Sequence, residues 1–240
     1  GGTVHLKEPV KSNIVEKGRA AGVKTEQNTY RGDAVILATG GMSYPLTGST
    51  GDGYRMAQAL GHKVTELRPS LVPIEIANPV VTELMGLSLK NVRLTALVEG
   101  KAKTNEFGEM MFTHFGITGP IVLSLSHTVG KLLRQKKQKP VTLELNLKPA
   151  LSAEQLDARI QRDFLKYSRK QLANGLGDLL PQRLIPVMIK EAGLDPEKVI
   201  NQISRTERQA LVHILQHWQL PVKGLRPVAE AIVTAGGLSV

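Results

Sequence analysis

The sequence predicts an α/β fold into which a second, mostly β and then helical, domain is inserted. Three observations predict it. Residues 34–61 read as a buried strand, a glycine-rich loop and an amphipathic helix. The tail AEAIVTAGGLSV returns to the same texture, an apolar strand ending in paired glycines at Gly236-Gly237. Between them lies a long stretch of different character, first short alternating strands and then capped helices. The expected division is 1–68 with 226–240 for the interrupted domain and 69–225 for the insert. The insert is expected to be mostly β over 69–150, helical over 151–217, and to end in a return strand over 218–225. The segments closing at Ala38 and Ala235 are expected to share one sheet.

The first forty residues read as β structure. Val4 and Leu6 alternate with polar neighbours, Ile14-Val15 leads into an Glu16-Lys17-Gly18-Arg19 turn, and Val23 and Thr25 continue the extended pattern. The run Ala34-Val35-Ile36-Leu37-Ala38 lacks alternation, which suits a strand buried on both faces. A stretch with six glycines between Ile36 and His62 follows. Met56, Ala57 and Leu60 then share a helical face, with Gly61 placed to end the helix. Strand, glycine loop and helix N-terminus in this order favour an anionic ligand, because free amides and the helix dipole point the same way.

From Arg68 the stretches LRPSLVPIEI and LSLKNVRLTALVEG predict short strands, with a turn at Asn105-Glu106-Phe107-Gly108. GEMMFTHFGITGPIVLSLS predicts a strand, a tight turn and a helix with Thr118 as its N-cap and Pro120 in its first turn. VTLELNL, residues 141–147, is one more strand. Ser152 with Gln155 and Ser204 with Glu207 are capping boxes. Pro181 opens a helix that kinks or restarts at Pro186, and Asp195-Pro196-Glu197 caps another. Trp218, the single tryptophan, is expected in the core at the end of a stripe with Leu211, Ile214 and Leu215.

Composition narrows function. The 240 residues are 41% hydrophobic and 22% charged, without cysteine, so disulfides, zinc–thiolate centres and cysteine nucleophiles are excluded for this chain. No apolar stretch approaches the roughly 18–20 residues that cross a bilayer, and the N-terminus is not a signal peptide. A cytoplasmic location and no membrane partner are expected. The net charge of +10 is spread as +3 over 1–68, +4 over 69–150 and +3 over 151–240. The dense cluster of Lys131, Arg134, Lys136, Lys137 and Lys139 lacks interleaved aromatics and reads as a solvated helix end, so no nucleic-acid partner is expected. His213 and His217 have helical metal-pair spacing but no third ligand, so no metal is expected. No complete G-x-G-x-x-G and no G-x-S-x-G elbow occurs. His114, in FTHFGITG beside a flexible turn, stands as a residue that either faces a ligand or serves a structural hydrogen bond.

AVILATGGMSYPLTGSTGDGYRMAQALGHKVTELRPSLVPI resembles the BaiN/YhiN-like flavoprotein family, also described as aminoacetone oxidase-like NAD(P)/FAD-dependent oxidoreductases. GEMMFTHFGITGPIVLSLS, LLPQRLIPVMIKEAGLDPEKV and LPVKGLRPVAEAIVTAGGLSV resemble the same bacterial family in the same order. The resemblance implies a partial Rossmann-like FAD-binding domain interrupted by a β-barrel-like plus helical insert. It implies that FAD lies against Ala38, Thr39, Gly40 and Gly41 and near Ser49, Thr50, Gly51, Asp52 and Gly53, and that Thr113 and His114 are the candidates for the cleft facing the flavin. The chain lacks the family's N-terminal G-x-G-x-x-G unit and its C-terminal flavin segment. It is therefore expected to be an internal fragment of an FAD-dependent oxidoreductase, binding FAD weakly and inactive alone. The substrate is expected to be a small organic molecule; use of NAD(P)H and the oligomeric state stay open. The alternatives are a non-enzymatic interaction module and a basic nucleic-acid-binding domain.

Overall fold

The computed structural model describes residues 2–135 and 139–239. The chain divides into two compact units, Gly1–Arg68 with Val233–Val240, and Pro69–Ile232. Each is described by itself, with elements numbered along the chain.

The first unit opens with a three-stranded antiparallel meander, β1 (Ser12–Glu16), β2 (Arg19–Lys24) and β3 (Thr29–Arg31). Lys17 and Gly18 both adopt positive φ, 50° and 76°, the two-residue turn whose twist matches a hairpin. Residues around Val4 and Leu6 are not a strand, and both side chains are exposed. The same holds for 34–38: it pairs with nothing among the described residues, and Ile36 is 89% exposed. A strand buried on both faces needs neighbours on both edges and a layer on each side. The meander ends at β3 and supplies none of these, so apolar composition alone cannot hold the run in a ladder. Next come α1 (Asp52–Ala59) and a Schellman end, in which Gly61 N–H donates to Gln58 O (2.9 Å) and His62 N–H to Ala57 O (3.0 Å).

β4 (Arg68–Ser70) carries the chain into the second unit. There β5 (Ile74–Ile76), a short α2 (Val80–Glu83), β6 (Ser88–Val98), β7 (Lys101–Phe112) and β8 (Gly116–Thr118) precede α3 (Pro120–Leu133) and β9 (Val141–Asn146). Three helices follow: α4 (Ala153–Lys166), α5 (Ile185–Glu191) and α6 (Arg205–Gln216). β10 (Trp218–Leu225) completes the unit, and β11 (Val233–Ala235) belongs to the returning tail. Six strands close an antiparallel barrel in the order β10-β5-β8-β7-β6-β9. In β9 the alternation is strict, with Val141, Leu143 and Leu145 buried. One apolar core runs from the barrel into the helices, and Trp218 lies in it fully buried, 5.8 Å between ring centroids from Phe112.

Several sequence expectations need correction. The β6–β7 turn is Glu99-Gly100, both at positive φ, while β7 runs straight through 105–108. Gly108 lies opposite an irregularity of β6 between Leu89 and Val92, so this glycine marks a bulge rather than a turn. Thr118 belongs to β8, and Gly119 takes the N-cap position with Pro120 behind it. Pro186 sits in the first turn of α5, which restarts there rather than continuing from Pro181. At Asp195 the side chain accepts from Glu197 N–H (2.9 Å) and makes a turn, with no α-helix behind it. Both capping boxes form, each with its serine accepting from the backbone three residues on and the reciprocal Gln155 or Glu207 bond in place. Trp218 begins β10 instead of ending the α6 stripe.

The indole N–H of Trp218 is buried without an acceptor among the described residues. An orphaned donor costs about 1–3 kcal/mol. Trp218→Phe, which keeps a ring and deletes the donor, should therefore cost less than about 1 kcal/mol, against about 3–5 kcal/mol for Trp218→Ala. Urea unfolding followed by circular dichroism measures both; equal losses would mean that the N–H has an acceptor.

Candidate functional site

In the first unit the two glycine stretches singled out in the sequence do meet. Gly51 N–H donates to Gly41 O (3.2 Å). A Cβ at Gly40 would stand 2.7 Å from Ser49 Oγ, and one at Gly53 would overlap Thr39 Oγ1. Glycine at 40 and 53 is thus required by contact within the loop itself. The tail closes the same nest. Thr234 Oγ1 accepts from Met42 N–H (2.8 Å) and lies 2.8 Å from Ser43 Oγ, while Thr65 and Gly237 exchange hydrogen bonds. The segments ending at Ala38 and Ala235 therefore do not share a ladder; the contact runs through the Thr234 hydroxyl.

The start of α1 carries Asp52 in its first turn, which accepts from Thr50 Oγ1 (3.0 Å) and pairs with Arg55. A carboxylate there already complements the positive end of the helix. It also repels a phosphate at that spot, and as an acceptor it suits a ligand hydroxyl instead. Exposed backbone at Ala38–Gly40, the hydroxyls of Ser49 and Thr50, and Asp52 thus form a polar surface. A separate cleft of about 450 Å³ lies between residues 9–13 and α1, with Asp52 and Arg55 on its wall.

In the second unit, Thr113 and His114 form the tight turn from β7 to β8. Thr113 N–H donates to Gly116 O (2.8 Å), and Thr113 Oγ1 accepts from Gly116 N–H (3.1 Å). The Thr113 hydroxyl is spent on the turn. His114 is not: its carbonyl accepts from Thr82 Oγ1 (3.2 Å), while its ring stands edge-on to Phe115 (4.9 Å) on the wall of a cleft of about 340 Å³. Gly116 fixes this turn, since a Cβ there would overlap the Ile74 carbonyl oxygen.

Sequence reasoning missed the charged residues of this cleft, because they come from separate elements. Arg226 donates to Glu75 Oε1 (2.8 Å) and to both oxygens of Glu230, and its guanidinium lies 4.6 Å from the centre of the Phe115 ring. The Arg226 hydrogen bonds hold the Glu230 carboxyl below its ordinary range, with a smaller contribution from His114. Phe115 was within reach, next to His114 in FTHFG. Arg226, Glu75 and Glu230 carry no short-range motif. Among the described residues no group of three or more His, Asp or Glu could hold a metal ion. His213 and His217 stack at 5.0 Å, and His217 Nδ1 lies 3.2 Å from Glu144. Lys136 and Lys137 of the basic cluster lie outside the described residues. No helix is long and apolar enough to cross a membrane among the described residues.

Residues 68–233 match the protein family described as "HI0933-like protein barrel and H2TH domain". The chain belongs to this family. Two similar proteins are named ribosomal RNA dihydrouridine synthase. The one from Haemophilus influenzae is 34% identical over 206 residues, covering 85% of this chain and 47% of that protein. The one from Escherichia coli is 29% identical over 206 residues, 86% and 48%. A third, the 3-dehydro-bile acid delta(4,6)-reductase of Clostridium scindens, is 23% identical over 216 residues, 90% and 52%. The chain spans about half the length of the curated relatives it matches.

Glu230 supplies a pH test of the second cleft. Its carboxyl is depressed in the folded state, so its stabilising contribution is present at neutral pH and is lost as acid protonates it. Arg226→Ala should therefore lower the urea midpoint more at pH 7 than at pH 3. A gap of equal size at both pH values would remove Arg226 as the cause.

Proposed function

We propose that this chain is part of a flavin-linked reductase that saturates a carbon–carbon double bond conjugated to a carbonyl, with uridine in ribosomal RNA as the favoured substrate class. The observation that carries this is the pair of names among its relatives. A dihydrouridine synthase and a delta(4,6)-reductase both imply two-electron reduction of such a bond, on otherwise unrelated molecules. RNA is favoured over a steroid because the two rRNA-modifying relatives are the more similar, at 34% and 29% against 23%. This departs from the sequence expectation of a small organic substrate and no nucleic acid. What moves it is the relatives' names.

A bound, reduced flavin supplies the hydride, and the remaining tasks fall to the chain. In the first unit the proposed FAD contacts are the backbone of Ala38, Thr39, Gly40, Gly41, Gly51 and Gly53, the hydroxyls of Ser49 and Thr50, and the acceptor Asp52. In the second unit the proposed proton carrier is His114, on the wall of that unit's own cleft. With the hydride supplied by the flavin at the carbon remote from the carbonyl, the chain's own task is to deliver a proton to the adjacent carbon. An imidazole can carry and release that proton near neutral pH. Thr113 positions it by holding the turn, and Arg226 keeps Phe115 and the two carboxylates fixed beside it.

The test uses the full-length gene product. With flavin bound and a chemical reductant present, it should convert uridine to dihydrouridine in protein-free ribosomal RNA, read by nucleoside mass spectrometry. His114→Gln should lower turnover about 100-fold or more with flavin content unchanged. Reduction of a dienone steroid with no dihydrouridine formed would overturn the RNA assignment. A purified protein without flavin that reduces neither would overturn the reductase reading.

A further inference from the structure

We propose that the second unit carries an RNA-backbone-binding face on the barrel, where the β6–β7 turn meets the C-terminal end of α3; this rests on the ribosomal RNA reading above. The fold brings together two basic segments that the sequence keeps thirty residues apart. Lys101 and Lys103 both line one cleft beside the turn, Lys103 falling at the irregularity of the β6–β7 ladder between the Leu97–Ala102 and Ala96–Thr104 pairs. Both are exposed, and neither has an acidic partner among the described residues. Across a cleft of about 550 Å³ stand Gln135 and Lys139, with the largely buried Val98 and Leu132 as its floor. Glu99 is the one acidic residue lining the cleft, and Lys139 Nζ binds it at 2.5 Å. Lys131 and Arg134, in the last turn and at the C-cap of α3, are exposed but do not line this cleft.

The occupant follows from this chemistry. Cations on a strand and past a helix end, around a narrow apolar floor, complement a chain of phosphates with sugars between them. Among the described residues the cleft has no aromatic side chain on which a base could stack, so contact here positions the nucleic acid without reading its sequence. The other basic stretch, at the end of α4, is less free. Lys166 is held by Asp178 (2.7 Å) and Lys170 lies 4.5 Å over the Tyr167 ring. It serves as the internal control.

Binding of the full-length protein to a fluorescently labelled transcript of a ribosomal RNA domain is measured by anisotropy between about 50 and 200 mM salt. Lys101→Glu/Lys103→Glu should weaken binding about tenfold or more and flatten the slope of log affinity against log salt by about 1.4, two single-strand phosphate contacts at ~0.7 each. Lys166→Glu/Lys170→Glu should stay near wild type. The first variant must keep its flavin content and Trp218 emission, so that a loss reports the surface and not the fold. Wild-type binding with an unchanged Lys101/Lys103 variant, or a larger loss in the control, would sink the face and leave the RNA reading standing. No wild-type affinity for the transcript, or binding only to vesicles rich in phosphatidylserine, would sink both.

Discussion

β10 pairs with β5 along one edge and with β9 along the other; without it the remaining five strands would form an open sheet with two free edges. That double pairing is made by the last strand of the unit, after three helices have been laid down. It buries Trp218 and Leu220 completely. Full burial of a large apolar side chain contributes about 1.5–3 kcal/mol. The same closure carries the chain on to Arg226 next to Glu75 and Phe115, which are held on β5 and just before β8. The cleft beside His114 is therefore a product of barrel closure: none of its walls is complete until a strand near residue 220 meets one near residue 75.

This explains what the sequence made legible. Local signals were read well. Two capping boxes, the Lys17-Gly18 hairpin, the Gly61 helix end and the alternation of Val141, Leu143 and Leu145 are each written within about six residues, and each formed. Errors came where a local signal had two physical meanings. Gly108 could turn a chain or relieve a bulge, and only the register of β6 decides. Asp195-Pro196 could cap a helix or close a turn. The apolar run at 34–38 had the composition of a central strand, but composition does not supply the neighbours that such a strand requires.

The candidate site divides in the same way. Gly40, Gly41, Gly51 and Gly53 stood out because glycine is locally conspicuous. Gly40, Gly41 and Gly53 pack closely against Ser49, Thr234 and Thr39, the Thr234 partner nearly two hundred residues away, while Gly51 holds a positive φ of 80°. The sequence reading placed the helix dipole against an anion; the Asp52 carboxylate at that position argues for a hydroxyl instead. In the second unit His114 was visible through its motif, whereas the arginine and two carboxylates around it were not. Lys101 and Lys103 were equally silent in the linear charge count, because two lysines on a hairpin attract no notice until a helix end is placed opposite them.

One feature of the barrel unit bears on how such proteins arise. Where the chain enters and leaves it, Leu71 O accepts from Ile232 N–H (3.0 Å) and Pro73 O from Arg226 N–H (3.1 Å). The unit's two ends are thus side by side, tied by their own backbone. A cassette with adjoining ends can be spliced into a host loop without prying the host's halves apart, and it can drift in surface chemistry while the host keeps its register.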